Sequence, residues 1–165
     1  MSAGSGIRPG VRLAFDVGKV RVGVARCDAE AILAVPVRTL KRDRYGADID
    51  EAAALVEEYR ATEVVVGLPT NLQGKGTAST KDARGWAQVL ADTVAPVTVR
   101  LVDERLSTVS AHQALHGAGL EERAFRSVVD QAAAVVILNQ ALDAERASGS
   151  PAGQTLPPKR EVKRD

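Results

Sequence analysis

The chain has 165 residues, 45% of them hydrophobic and 26% charged, which is enough for one hydrophobic core and too little for two comfortable domains. Its 22 basic and 21 acidic side chains give a formal net charge of +1, so the composition excludes a strong overall field for nucleic acid, and any basic surface must be local. A single cysteine, Cys27, excludes an intrachain disulfide and a four-cysteine zinc site. No apolar run approaches the roughly 18 residues that span a bilayer. We therefore expect a cytoplasmic protein with no membrane partner.

The first part of the chain predicts three antiparallel strands. The segments VRLAFDV and VRVGVARC alternate and are rich in β-branched residues, and Gly18 and Lys19 between them predict a tight hairpin. The segment AILAVPV predicts a third strand. Because proline is tolerated only at an edge or at the end of a strand, Pro36 places this strand outermost in the sheet.

The hydrophobic period then changes from that of a strand to that of a helix. Apolar residues recur at three- and four-residue steps over 47–60, which predicts an amphipathic helix, and EVVVGLP predicts a short strand buried on both faces. A helix around Trp86, the strand VTVRLVDE, and helices over about 107–116 and 127–147 follow. This order predicts an α/β domain with a five-stranded mixed sheet, three antiparallel strands and then two parallel strands, flanked by helices.

The predicted domain covers residues 1–147. Residues 148–165 are rich in Ser, Gly and Pro and then in basic residues, with almost nothing to bury. Such a composition is typical of a disordered tail, and we predict a disordered basic tail here.

Acidic residues end two of the predicted strands. Asp16 ends the first strand, which is central in this order, and a buried carboxylate is costly unless it is paired or binds a cation. The alternative is an aspartate that accepts hydrogen bonds from the turn at Gly18. Asp103 and Glu104 end the fifth strand at the same edge of the sheet, and since successive strand residues point to opposite faces, at most one of them faces a site there. Their alternative role is to flank a helix N-terminus, where negative charge is stabilising.

A third acid, Asp130, lies in the otherwise apolar segment SVVDQAAAVVIL. Its spacing from Ser127 matches a helix-capping pattern, so it could cap a helix, bind a metal, or do both. Three carboxylates from separate elements, without a histidine or cysteine cluster, favour Mg²⁺ or Mn²⁺ over zinc. Such a site suits phosphodiester hydrolysis.

Four segments together resemble a known family. DVGKVRVGVA, VVVGLPTNLQGKGTAS, VDERLSTVSAH and VDQAAAVVILNQALD resemble, in this order, the signature blocks of the YqgF/RuvX family of pre-16S rRNA nucleases and Holliday-junction-resolvase-like proteins. The resemblance implies an RNase H-like fold and a carboxylate metal site in which Asp16, Glu104 and Asp130 are the catalytic acids and metal ligands. Many relatives in the wider RNase H superfamily carry an acid at the end of the fourth strand, whereas VVVGLPTN has none. That role therefore passes to Glu104.

The loop GLPTNLQGKGTASTKDAR contains glycines that admit backbone N–H groups close to an anion, and lysines that attract phosphate. We interpret it as a clamp on the nucleic-acid backbone that uses Asn71, Lys75 and Lys81. A solvated surface loop is the alternative. Arg21 and Arg105 belong to the same predicted nucleic-acid-binding set. For Arg21, which matches the first family block, we expect contact with a phosphate or orientation of an acid, and an ordinary surface ion pair is the alternative.

The resemblance implies a metal-dependent nuclease that acts on structured nucleic acid, first of all the 5′ end of precursor 16S rRNA. The alternatives are a Holliday junction resolvase, a non-catalytic protein that binds RNA or ribosomal particles, and an actin-like ATPase, which normally needs two such domains. A monomer and a homodimer are both open, and a resolvase would require a symmetric dimer. Aromatic residues make up only 3% of the chain, which argues against a single-strand stacking platform and for recognition of the backbone or of shape.

Overall fold

A computed structural model describes residues 7–69, 76–104 and 122–159. The described chain forms a six-stranded sheet in the order β3-β2-β1-β4-β5-β6, with helices on both faces. The strands are β1 (Arg12–Val17), β2 (Arg21–Cys27), β3 (Ala34–Lys41), β4 (Glu63–Leu68), β5 (Thr98–Asp103) and β6 (Gln154–Leu156). The helices are α1 (Ala47–Glu58), α2 (Ala78–Val94) and α3 (Glu122–Ser148).

The predicted mixed sheet is confirmed. β1 is central and pairs antiparallel with β2 and parallel with β4, while β3 and β5 extend the sheet in the predicted directions. β3 is the edge strand, as Pro36 predicts, and its register with β2 shifts between Val24 and Ala25. A proline and an irregularity at an edge both discourage pairing with a further strand.

The sixth strand corrects the prediction of five strands and of a tail without structure. Residues 154–156 pair antiparallel with β5. Arg100 of β5 fixes this segment by donating hydrogen bonds to the carbonyls of Ala152 (2.7 Å) and Gly153 (3.0 Å) and to the hydroxyl of Thr155 (2.8 Å). Three residues are too short an alternation to reveal a strand in a segment rich in Gly and Pro. Residues 160–165 lie outside the described part of the chain.

Two hydrophobic layers hold the sheet between the helices. α1 and α2 cover one face, where Phe15 contacts Trp86 with ring centroids 5.3 Å apart. α3 covers the other face, where Ile137 and its neighbours pack against Ala14 and Val65. A capping box between Thr77 and Thr80 begins α2. The helix predicted over about 107–116 lies outside the described residues.

The predicted start of the last helix is wrong. α3 begins at Glu122, so Ser127 stands inside the helix and cannot be its N-cap. A capping pattern shows only that a helix can begin at that point, and the preceding residues, ERAFR, are mostly able to continue a helix. Asp130 is therefore an interior residue of α3, and the capping role is excluded.

Buried ion pairs hold the far end of α3. Glu145, 3% exposed, accepts hydrogen bonds from the backbone and side chain of Arg8 (both 2.8 Å) and pairs with the buried Arg12 at 3.3 Å. Arg8 also contacts Glu63 of β4 at 3.1 Å. Burial alone would raise the pKa of Glu145, but the hydrogen bonds from Arg8 lower it overall. No helix within the described ranges is long and apolar enough to cross a membrane.

Candidate active site at the carboxyl end of the central strands

Asp16 has a glycine as its register partner on each neighbouring strand. In the sheet register its partners are Gly23 of β2 and Gly67 of β4. Asp16 is 9% exposed, so its carboxylate is nearly removed from water on a central strand. The β1–β2 turn is closed by a backbone hydrogen bond from Gly18 to Arg21 (2.8 Å) and not by the aspartate side chain. The two glycines leave room for groups from other elements to approach Asp16 from both sides.

Gly23 admits the backbone of α3. A Cβ atom at this position would overlap the carbonyl of Asp130 and lie 2.9 Å from the backbone nitrogen of Gln131. The helix thus rests directly on β2, one strand away from Asp16. Gln131 adds a hydrogen bond to Thr39 of β3 (3.1 Å). This contact determines where Asp130 lies.

Gly67 admits the carboxylate of Glu104. This residue directly follows β5, its backbone nitrogen donates to the carbonyl of Leu68 (3.1 Å), and its side chain extends across β4. A Cβ on Gly67 would lie 2.8 Å from Glu104 Oε2. Glu104 is buried, whereas its neighbour Asp103 is exposed, as the alternation of a strand predicts.

The two buried acids share a proton. Burial, the negative charge of Asp16 and a hydrogen bond with Asp16 raise the pKa of Glu104 to about 10. Burial and the charge of Asp130 raise the pKa of Asp16, while the hydrogen bond from Glu104 works in the opposite direction. Glu104 is therefore the protonated partner that donates to Asp16 at neutral pH. Acidic side chains are therefore crowded at this site, and a bound cation would reduce the repulsion between them.

Arg21 neutralises the third acid. Its Nε donates to Asp130 Oδ2 at 2.7 Å, and both side chains are partly exposed. The pair joins the start of β2 to the middle of α3. The partner of Arg21 is thus one of the predicted acids, which agrees with the predicted orientation of an acid, while contact of Arg21 with a phosphate stays a prediction.

The carboxylates of Asp16, Glu104 and Asp130 are oxygen ligands of the kind that a hard divalent cation prefers, but they do not surround one common point. No group of three or more His, Cys, Asp or Glu side chains that could hold a metal is present among the described residues. The reason is visible in the contacts: Asp16 and Glu104 are bridged by their hydrogen bond, and Asp130 faces Arg21. Carboxylate oxygens on three separate elements are nonetheless the ligands that Mg²⁺ and Mn²⁺ prefer.

The predicted nucleic-acid-binding residues are only partly visible. Lys81 is exposed in the first turns of α2, which begins at the same end of the sheet as the acids. Asn71, Lys75 and Arg105 lie outside the described residues, so their assignment remains a prediction.

Arg42 fixes the turn that follows β1, a role that the sequence did not reveal. Its Nη1 donates to the carbonyl of Gly18 (2.8 Å), and its guanidinium forms a two-pronged pair with Asp82 of α2 (2.8 and 3.0 Å). Asp48 of α1, 2% exposed, lies 3.5 Å from Arg42 Nε and accepts from the indole of Trp86 (2.8 Å). No local pattern marks Arg42, because the partners that its guanidinium hydrogen-bonds, Gly18 and Asp82, are 24 and 40 positions away in sequence.

Comparisons with known proteins agree on one family. The model of the RuvX family, described as Holliday junction resolvase, matches residues 10–144. A protein of Kineococcus radiotolerans named "Putative pre-16S rRNA nuclease" is 53% identical over 154 residues, which are 93% of this chain and 82% of that protein. A protein of the same name from Clavibacter sepedonicus is 52% identical over 92% of this chain and 94% of its own length. Among solved structures, Thermus thermophilus RuvC in complex with a Holliday junction substrate shares the fold, with a TM-score of 0.52 and 18% identity over 87% of this chain and 99% of that chain.

Proposed function

The chain belongs to the RuvX family of nucleases, and we propose that it cleaves phosphodiester bonds with a divalent metal held by Asp16, Glu104 and Asp130. The observation that carries this assignment is the contact between two buried carboxyl groups at the end of the central strand. Two nearly unexposed acids whose pKa values are both raised, first of all by burial, are unfavourable for folding unless they serve a purpose. A bound divalent cation would relieve the repulsion between these acids, and this relief would add to the affinity of the site for the metal.

Each residue has a role that follows from its contacts. A bound Mg²⁺ or Mn²⁺ would supply Lewis acidity to a phosphate oxygen and lower the pKa of a water. Glu104 would give up its proton so that both it and Asp16 could act as ligands. Asp130, placed by the contact of α3 with Gly23, would complete the set. Arg21 would leave Asp130 and could then contact a phosphate oxygen of the substrate.

The substrate proposed first is precursor 16S rRNA, with cleavage at its 5′ end, because the two relatives described above carry pre-16S rRNA nuclease in their names. With this substrate, the protein would act in the cytoplasm and contact ribosomal particles. A Holliday junction is the second candidate, favoured by the description of the family model. Because a junction presents two equivalent strands, that activity would require a symmetric homodimer.

The test is cleavage of a precursor 16S rRNA 5′ leader and of a four-way DNA junction, each with Mg²⁺, Mn²⁺ or EDTA. We expect metal-dependent cleavage of the RNA, and losses of several orders of magnitude for Asp16→Asn and Glu104→Gln. Asp103→Asn is the matched control, since it removes the charge of an exposed neighbouring acid, and its effect should be mild. Cleavage by Asp16→Asn at the normal rate, or cleavage that persists in EDTA, would contradict the proposal. Cleavage of the junction alone would indicate the second substrate. Binding without cleavage would indicate a non-catalytic role.

A further inference from the structure

The loop between β3 and α1, residues 42–46, lies at the same end of the sheet as the acids. β2 runs antiparallel to β1, and β3 runs antiparallel to β2, so β3 ends at the edge where Asp16 lies. Lys41, the last residue of β3, is the register partner of Arg21, which contacts Asp130. β3 is two strands away from β1, which corresponds to about 10 Å. A polynucleotide held at the acids could therefore reach this loop within a few nucleotides.

The loop is held in a defined position relative to the site. The backbone nitrogen of Arg42 donates to the carbonyl of Val20 (2.8 Å), while its side chain binds the carbonyl of Gly18. Asp43 accepts from the backbone of Ala47 (2.9 Å) and so fixes the start of α1. The loop thus forms part of the same rigid edge as the β1–β2 turn.

Tyr45 in this loop presents its ring to solvent. It is 87% exposed, and the guanidinium of Arg44 lies 5.8 Å from its ring centroid. The only other tyrosine, Tyr59, is half-buried against the core, with Arg26 at 5.1 Å. Tyr59 has a packing role, whereas Tyr45 has an open aromatic face and no comparable burial.

The charges beside Tyr45 are suited to phosphate. Lys41 is exposed and lies directly across the strand pair from Arg21, whose charge is already balanced by Asp130, so the charge of Lys41 remains open to solvent. Neither Lys41 nor Arg44 forms a salt bridge with any residue in the described ranges. Exposed cations next to an aromatic ring form the usual combination for a single nucleic-acid strand, in which the bases stack and the backbone is neutralised.

We propose that Tyr45 stacks on an unpaired base of the nucleic-acid substrate while Lys41 and Arg44 contact the adjoining phosphates. This inference rests on the proposed function, because it identifies the substrate as one with single-stranded nucleotides beside the bond that is cleaved. A base inside a duplex has both faces covered, so the ring distinguishes unpaired from paired nucleotides, which the cations alone cannot do. The low aromatic content argues against a platform of several stacked bases, and Tyr45 would instead stack on a single base.

The experiment measures binding without cleavage, in EDTA, by fluorescence anisotropy. The probes are an RNA hairpin with a single-stranded 5′ extension and the same hairpin with a blunt end. Tyr45→Ala should weaken binding of the extended hairpin about tenfold and leave the blunt hairpin nearly unchanged. Tyr45→Phe should bind like the unsubstituted protein, because the ring is kept. Ile32→Ala is the control, since Ile32 is 61% exposed in the loop at the opposite end of the sheet.

A second readout uses Tyr45→Trp, whose new indole should be quenched by the extended hairpin and not by the blunt one. Equal losses on both probes, unchanged binding by Tyr45→Ala, or an indole that does not respond would overturn the inference. Failure of the unsubstituted protein to bind either probe would overturn both this inference and the proposed function. Binding that depends on Tyr45, together with normal cleavage by Asp16→Asn, would overturn the proposed metal site alone.

Discussion

A methyl group added at Gly23 should separate the acids of the site. In the structure the backbone of α3 lies directly on this glycine, and ordinary contact with a Cβ begins at 3.4 Å. The added atom would lie 2.9 Å from the nitrogen of Gln131 and would overlap the carbonyl of Asp130. Both obstacles are backbone atoms, so no side-chain rotation relieves them. In Gly23→Ala the helix must move away from β2 by roughly 1.5 Å to restore ordinary contact with the Asp130 carbonyl.

Two effects of different size follow from this displacement. Overpacking of a closely packed interior costs about 1–3 kcal/mol, which for a domain of this size lowers Tm by roughly 3–10 °C. Displacement of a catalytic group by about 1 Å reduces the rate on the order of 100-fold. Gly23→Ala should therefore remain folded at room temperature and lose nearly all of its activity.

The assay combines urea unfolding with metal-dependent cleavage of the precursor RNA. The matched control is Gly85→Ala in α2, where an added Cβ meets nothing within 4 Å. Because alanine is the better helix former, this control should gain about 0.5–1 kcal/mol and keep full activity. If Gly23→Ala had the stability and activity of the unsubstituted protein, α3 could not lie on β2 as described, and the placement of Asp130 by this contact would be refuted.

Three further predictions concern charge. Asp16→Asn should keep or raise the metal-free Tm, because it removes one of the like charges in the buried cluster; a large fall in EDTA would make Asp16 a structural residue. The pKa of Glu104 is about 10 in the folded protein, against an ordinary value of 4.5 in the unfolded chain. Between these two pH values the folded protein keeps a proton that the unfolded chain has lost, so metal-free stability should fall as pH rises across this range. Glu104→Gln should flatten this dependence in thermal melts, and an unchanged slope would assign it to other groups. Lys81→Ala should weaken binding equally for all sequences and reduce the salt dependence by about one ion, whereas a loss confined to one sequence would indicate base reading.

The sheet could be predicted because its signals are local. Alternation identified the strands, Pro36 identified the edge, and a charge at the end of a central strand marked Asp16 as a candidate site residue. The predicted exposure difference between Asp103 and Glu104 needs only the twofold period of a strand. These inferences require no knowledge of what lies opposite each residue.

The contacts that complete the site could not be predicted, because they join distant parts of the chain. Gly23 and Gly67 look like ordinary strand glycines until the register shows that both flank Asp16. Arg21 and Asp130 are 109 positions apart in sequence. The start of α3 was placed too late because the capping pattern at Ser127 is a local signal that the surrounding helix overrides.

Ion pairs hold α3 at two separate points, one in the middle of the helix and one near its C-terminal end. Asp130 is held by Arg21, and Glu145, 15 residues further on and so about 22 Å along the axis, is held by Arg8 and Arg12. Breaking a buried ion pair at one of these points costs about 3–5 kcal/mol and allows the helix to slide or turn at the other point. A change at Arg12 can then mimic the loss of a catalytic group although it lies at the opposite end of the sheet. In a screen for inactive variants, substitutions at such positions would resemble substitutions of the proposed metal ligands, and metal affinity measured separately from turnover would distinguish the two groups.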